Sequence, residues 1–211
     1  MDIITAIKKE RGKYRVTVND SENILVPVSL MRERQLKEGQ PIDLEEYDNW
    51  LMVRQYRFAL DRAVGFLAAR ARSKKEIEQK LLQAGYRPTT VEMVIYKLQR
   101  ENLLDDADFA RQWVESRQNH KLGRSRIAQE LRRKGVSKEE AEDALSVIED
   151  EDQLSGAIAL AEKAAARIKP GEDIRKASSR IAGMLARRGY SWDIAKQAIS
   201  QALSDANVNF D

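Results

Sequence analysis

The chain has 211 residues, 42% hydrophobic and 34% charged, with ten Gly, four Pro, no Cys and one histidine, His120. This composition excludes disulfides, thiol catalysis, cysteine-based zinc sites and any site needing two histidines, and it is too rich in aliphatic residues for a disordered chain. A net charge of +3 does not by itself define a nucleic-acid binder, so the placement of the charges matters more than their sum. No run of 18 uncharged apolar residues exists, and the opening MDIITAIKKERGK lacks a signal-peptide layout. A cytoplasmic protein without membrane association is therefore expected.

Ile3–Ile7 and Tyr14–Val18 alternate like strands around Lys9-Glu10-Arg11-Gly12, which predicts a hairpin. Asp20-Ser21-Glu22-Asn23 predicts a second turn before a third strand at Ile24–Val28, and Asp43–Trp50, after Pro41, reads as a short helix. Residues 1–55 are thus expected to form a small module of a β-hairpin and a short helix. Helical periodicity then takes over, and a pattern Ile-x3-Leu-x3-Gly occurs three times: Ile77, Leu81, Gly85; Ile127, Leu131, Gly135; and Ile181, Leu185, Gly189. Six, nine, ten and thirteen residues after each glycine stand Val91, Val94, Ile95 and Leu98, then Ala141, Ala144, Leu145 and Ile148, then Ala195, Ala198, Ile199 and Ala202.

Ile at i and Leu at i+4 share one helical face, and the later spacing builds a second apolar stripe. The glycine is placed to end the first helix, with Tyr86, Val136 or Tyr190 supplying the accompanying apolar contact. The next helix starts at Pro88, after Ser137 and after Ser191, and Ser73 with Glu76 and Ser137 with Glu140 read as capping boxes. A further helix precedes each pair, near Tyr56–Arg72, Ala107–Asn119 and Leu154–Arg167. The expected fold is mainly α: three tandem three-helix repeats, helix-turn-helix-like, over residues 56–104, 105–152 and 153–211. Each repeat is small enough to need support from its neighbours.

Charge divides as −1 over residues 1–55, +5 over 56–104, −2 over 105–150 and +1 over 151–211. The middle repeat is split internally: Lys121–Lys134 carries six basic residues and one acidic, Lys138–Asp152 eight acidic and one basic.

Leu104-Asp105-Asp106, Phe109-Ala110-Arg111, Trp113-Val114, Arg117, Arg126-Ile127, Glu130-Leu131 and Lys134-Gly135 together resemble the central signature of the RecX family, regulators of the RecA recombinase. The resemblance covers roughly 57–211 and is strongest in 73–135, while residues 1–55 resemble the N-terminal extension of longer members. One departure is that the family often has Gly-Pro before the second helix of the middle repeat, where this chain has Gly123-Arg124. The resemblance implies an elongated, curved array of repeats. It also implies a non-catalytic regulator, a monomer, that binds in the groove of the RecA–DNA filament, touches the DNA directly or not, and inhibits ATP hydrolysis, strand exchange and filament growth. It carries no catalytic residues, cofactor or metal.

The candidate partner- or DNA-binding residues are the cations of the middle and last repeats. Arg124, Arg126, Arg132, Arg133 and Lys134 lie on one helix, Arg187 and Arg188 at the matching end of the third repeat, and Arg111 and Arg117 on the helix that carries Trp113. Such residues suit phosphate or acidic protein surface, but cations at a helix C-terminus also complement its dipole. Trp113, four residues after Phe109, reads as core, and His120 as a solvated helix end.

Two other classes compete. In a helix-turn-helix DNA binder the second helix of each pair would enter the major groove, but those helices carry net charges of zero, −5 and zero, which phosphates do not attract. In a metal-dependent nuclease Asp105, Asp106 and Asp108 would be the carboxylates, but they fall at a helix start, where acidic residues are favoured anyway. No GxxxxGK[ST] loop is present, so ATP binding of that kind is not expected.

Overall fold

The structure is a computed structural model that describes residues 2–169 and 171–207. Met1, Pro170 and residues 208–211, which the repeat scheme includes, lie outside the described residues. The chain forms two compact units, one up to Asp105 and one from Asp106.

In the first unit β1 (Asp2–Glu10), β2 (Lys13–Val18), β3 (Glu22–Pro27) and β4 (Pro41–Ile42) form an antiparallel sheet in the order β3-β2-β1-β4. The hairpin falls where the alternation placed it, while the third strand starts at Glu22, inside the turn expected at Asp20–Asn23, and ends at Pro27 because Val28 opens α1. β1 runs further than expected, through Lys8, Lys9 and Glu10, because a strand buried on one face tolerates charge on the other. Ile4, Val16, Val18, Ile24 and Val26 supply the buried face. They pack on Leu30 and Met31 of α1 (Val28–Glu33), on Leu36, and on Tyr47 and Leu51. Neither α1 nor β4 was anticipated, being too short to show a period.

The helix expected to stop at Trp50 does not stop. α2 runs unbroken from Leu44 to Ala69, with Asp43 accepting the Glu46 N–H as its cap. Nothing in Leu51-Met52-Val53-Arg54-Gln55 can break a helix, so the two expected helices are one, and residue 55 falls inside it. Its buried residues are Tyr47, Leu51, Gln55, Ala59 and Ala63. At 3.6 residues per turn a step of four advances about 40°, so the buried line swings about 160° around the helix from Tyr47 to Ala63. One end therefore faces the sheet and the other the first repeat, whose core holds Ala59, Ala63, Ile77, Leu81, Val94 and Leu98.

That repeat is completed by α3 (Lys74–Gln83) and α4 (Pro88–Arg100). The second unit contains α5 (Asp106–Asn119), α6 (Arg124–Lys134), α7 (Lys138–Ser146), α8 (Asp150–Ala165), α9 (Ile174–Arg187) and α10 (Trp192–Asn207). α8 starts four residues before the expected Leu154. Its first turn holds Asp150, Glu151 and Asp152, where carboxylates meet the positive end of the dipole.

All three expected glycine turns form, and in the same way. Gly85, Gly135 and Gly189 have φ of +92°, +84° and +89°. Each glycine N–H donates to the carbonyl three residues back (Leu82, Arg132, Ala186), and the next N–H to the carbonyl five back (Leu81, Leu131, Leu185), at 2.9–3.2 Å. Left-handed backbone is what this paired cap needs and what glycine supplies without strain. Tyr86, Val136 and Tyr190 are buried beside the leucines they bond. Both expected capping boxes, Ser73 with Glu76 and Ser137 with Glu140, are present.

Tyr47 is fully buried with an unpartnered hydroxyl, under the Arg34 guanidinium. Burial pushes its phenol from 10.0 up to about 12, against the opposing pull of Arg34. Between those values the unfolded chain releases this proton and the folded chain retains it, so stability falls as pH rises through the window. Tyr47→Phe is expected to flatten that fall, which amounts to about 1.4 kcal/mol by pH 11, and to stabilise by about 1 kcal/mol at pH 7 by removing an unpaired buried hydroxyl. Urea unfolding of both proteins at pH 7 and pH 11 checks both effects.

Candidate functional site

The second and third repeats meet end to end. The N-terminus of α6 abuts the C-terminus of α9, with the Gly123 N–H donating to the Arg188 carbonyl at 2.8 Å and the Ser125 N–H to the Gly189 carbonyl at 3.3 Å. The positive end of one helix thus satisfies the negative end of the other. The approach requires two glycines face to face. A Cβ on Gly123 would lie 2.5 Å from the Tyr190 nitrogen and closer still to the Gly189 carbonyl, and one on Gly189 would strike the backbone of Arg126. Arg188 ties the joint from the other side by donating to the carbonyls of His120 at 3.0 Å and Lys121 at 3.4 Å.

Gly123-Arg124 explains its own departure from Gly-Pro. The Arg124 N–H donates at 2.8 Å to Oε1 of the buried Gln153 on α8, a bond that proline could not make. The Arg124 guanidinium donates to the Ile148 carbonyl and lies 3.3 Å from Asp150. Gln153 was missed in the sequence, since a glutamine at a helix start gives no sign of being buried. Gln55 has the matching role in the first unit, accepting from the Arg87 N–H at 3.0 Å.

A second cluster lies between α5 and α6. Trp113 stacks on Phe109 at 5.6 Å and is half-buried against the core, as the spacing implied. Arg117 stands 3.8 Å and Lys134 4.0 Å from its ring centre. Glu130 accepts from Arg117 Nε at 2.7 Å and Trp113 Nε1 at 3.1 Å, with Arg126 Nε at 3.5 Å from its other oxygen. Burial alone would raise the Glu130 carboxyl, but the hydrogen bonds from Arg117 and Trp113 and the charges of Arg117 and Arg126 outweigh it and hold the group below its ordinary 4.5.

The nine candidate cations therefore divide. Arg117 and Lys134 hold the Trp113–Glu130 cluster, and Arg124, Arg126 and Arg188 serve the joint or Glu130. Arg111 is exposed and lies 3.2 Å from the equally exposed Asp108, a solvent-screened pair. Arg132, Arg133 and Arg187 are exposed and have no ion-pair partner among the described residues. An open cleft of about 1280 Å³ lies beside the joint, with Leu122, Val136 and Leu145, the cations Arg126, Arg132, Arg187 and Arg188, and the carboxylates Glu130 and Glu142 in its lining.

Both charge runs of the middle repeat end on helix termini: Arg132, Arg133 and Lys134 in the last turn of α6, Glu139 and Glu140 in the first turn of α7. Asp106 and Asp108 occupy the first turn of α5. No group of three His, Asp or Glu able to hold a metal occurs among the described residues. His120 is exposed just past α5, with Nδ1 2.7 Å from the Ser116 carbonyl. No described helix is long and apolar enough to cross a membrane.

Serial three-helix repeats beside a cation-lined cleft define the class, a helical-repeat protein presenting a basic surface. Three sequence models from one family match the chain in order: the first three-helix domain of RecX over residues 59–98, the second over 105–145 and the third over 150–199. Regulatory protein RecX of Mycobacterium sp. (strain JLS) is 41% identical over 143 residues, covering 65% of this chain and 78% of its own. The Clostridioides difficile (strain 630) protein of that name is 29% identical over 208 residues, 97% of both chains. The crystal structure of RecX from Lactobacillus salivarius matches with TM-score 0.65 at 28% identity over 71% of this chain and 97% of that one. A second crystal structure of regulatory protein RecX has TM-score 0.66 and 24% identity, and covers 95% of this chain and all of the other. That likeness extends the shared fold into the N-terminal sheet. The chain belongs to the RecX family of regulatory proteins.

Two outcomes are expected. Gly123 has an ordinary φ of −75°, so Gly123→Ala tests the close approach alone: destabilisation by about 1–3 kcal/mol, read by urea unfolding. Glu130 contributes stability that is present above its ordinary 4.5 and is lost as pH falls through its lower folded value. Glu130→Gln should cost about 2 kcal/mol at pH 7, and its unfolding curve should converge on that of the native chain in acid.

Proposed function

We propose that this chain binds in the groove of the RecA–DNA filament and inhibits recombinase ATP hydrolysis, strand exchange and filament growth. Support comes from the family together with one observation: Arg132 and Arg133, in the last turn of α6, and Arg187, in the last turn of α9, are exposed and have no ion-pair partner among the described residues. Cations held this way suit either acidic protein surface or the phosphates beside it. The repeat units proposed are 56–104, 105–152 and 153–211, after a module of residues 1–55. Similar units in series engage successive protomers, and linking weak contacts slows dissociation. A body lodged in the groove obstructs the incoming duplex and resists the protomer movements that ATP turnover needs. The protein acts as a cytoplasmic monomer. Of the nine cations, Arg132, Arg133, Arg187 and Arg111 are proposed to make the contact, while Arg117, Arg124, Arg126, Lys134 and Arg188 hold the face in shape. A helix-turn-helix DNA binder is the weaker reading, because α7, which would enter the groove, presents Glu139, Glu140, Glu142 and Asp143.

The test is the RecA ATPase on single-stranded DNA across a salt series. Arg132→Glu with Arg133→Glu should weaken inhibition by about tenfold or more and flatten its salt dependence, with helicity unchanged because exposed charges alter stability by only about 0.5 kcal/mol. Ile127→Asp, which buries a charge in the repeat core, should instead unfold it. Undiminished inhibition by the folded double variant removes these arginines from the contact.

A further inference from the structure

The most basic stretch of the chain, residues 56–104, has no part in the proposed filament face. Its cations converge with those of the hairpin. Phe66 of α2 is half-buried, and Lys80 stands 5.1 Å, Arg72 5.6 Å and Arg62 5.8 Å from its ring centre. The β1–β2 turn closes on the same place: Gly12 lies against Gln83 and Ala84 at the end of α3, and Lys13 packs on Gly85. The result is a cavity of about 480 Å³ lined by Arg11, Lys13, Arg62, Lys80 and Phe66, with Glu10 as its one carboxylate. That carboxylate is already engaged, 2.7 Å from Arg15 and 3.8 Å from Lys13. Arg11, Arg62, Arg72 and Lys80 have no ion pair with a carboxylate among the described residues.

An aromatic ring attracts cations through its quadrupole and leaves their charge intact. The cations around Phe66 therefore repel one another, and an anion between them relieves that repulsion. The C-terminus of α3, whose dipole opposes an anion, is muted by its own cap: the carbonyls of Lys80, Leu81 and Leu82 accept from the N–H groups of Ala84, Tyr86 and Gly85 respectively. Along the hairpin the positive charge stops at the cavity. Lys8 and Lys9, the next cations on β1, are outside its lining, and as neighbours on a strand they point to opposite faces of the sheet. The cavity therefore suits a discrete molecule and not a polymer laid along a track, and its volume falls in the range of roughly 300–1,000 Å³ usual for small ligands. Four cations against one occupied carboxylate call for more than a single negative charge. Arginine forks and lysine point charges are the common partners of phosphoryl oxygens, and two linked phosphoryl groups can meet cations arriving from different elements at once. We propose that this cavity binds the pyrophosphoryl group of a small molecule, either inorganic pyrophosphate or a nucleoside di- or triphosphate, at a site the filament reading does not use. The bound anion bridges Arg11 and Lys13 of the hairpin to Arg62 of α2 and Lys80 of α3, and so clamps the sheet onto the first repeat.

The experiment follows thermal unfolding of the full chain without recombinase, titrated with inorganic pyrophosphate at fixed ionic strength. A ligand that binds only the folded chain raises Tm with its concentration, and orthophosphate and sulfate at the same ionic strength should raise it far less. Arg62→Gln with Lys80→Gln should raise the dissociation constant read from that shift about tenfold or more, since each cation supplies a charge-assisted hydrogen bond. Because these two stems cover Phe66, a second variant, Arg11→Gln, alters only the exposed hairpin tip. It should keep the ligand-free Tm and lose most of the effect of pyrophosphate. Retention of the full effect by this variant overturns the proposal, as does the absence of any shift in the native chain. An equal loss from Arg132→Gln with Arg133→Gln shows an effect of net charge alone and also overturns it. ADP and ATP separate the two sources: a larger shift than that of pyrophosphate assigns the site to a nucleotide, an equal or smaller one to the inorganic anion. Oligothymidylate, citrate and poly-glutamate complete the series. A shift by any of these that matches pyrophosphate and disappears in Arg11→Gln rejects the pyrophosphoryl group, in favour of a nucleic-acid strand, a small polycarboxylate or an acidic protein respectively.

Discussion

One hydrogen-bonded turn sets the geometry of everything helical in this chain. A left-handed glycine lets two successive N–H groups reach back to carbonyls of the helix just finished, and the residue after it drops onto the leucine four positions before the glycine. This sets the direction in which the next helix leaves, and the apolar stripe of α4, α7 or α10 shares a core with that of α3, α6 or α9. A side chain with a Cβ at Gly85, Gly135 or Gly189 strains that backbone, and the two stripes lose their register. Ile77, Ile127 and Ile181 and their partner leucines are nearly or fully buried as a consequence.

The same turn is used a second time as a docking point. Gly189, freed of a side chain for its own cap, also admits the start of α6, and Gly85 admits the hairpin at Lys13. Helix ends are where a repeat protein has unsatisfied polar groups to offer, so neighbouring elements attach there. In the second unit this attachment brings cations from two repeats, some 60 residues apart in sequence, into the lining of one cleft. It also consumes some of them: Arg188 and Arg124 spend their donors on carbonyls at the joint, and Arg117 and Arg126 on Glu130. The binding potential of a basic face is therefore smaller than its formal charge, and it rests with the residues that the packing leaves unpaired.

α2 illustrates a different economy. Its buried residues recur every four positions instead of alternating three and four, and the line they form drifts around the helix. A single helix can then serve a sheet at one end and a helical repeat at the other. The drift spreads apolar residues over many directions along the length, which is why the sequence showed two short periodic pieces with an indistinct middle in place of one long helix.

The amino-acid sequence alone determined the repeat. The three Ile-Leu-Gly patterns, the apolar spacing after them, the serine capping boxes and the hairpin alternation are local, period-driven signals, and local hydrogen bonding and one-sided burial are enough to produce them. It also located the basic helix and its acidic successor, whose charges sit at the helix ends where dipoles favour them. Tertiary structure alone decided the rest. That Gly123 faces Gly189, that Gln153 and Gln55 are buried to receive a single N–H, and that Lys80 and Arg62 converge on Phe66 beneath the hairpin depend on which helix ends meet. Such meetings join residues far apart in the chain, and no periodicity encodes them. Whether an arginine is a structural clamp or a free charge follows from its partner, and the partner is known only once the helices are packed.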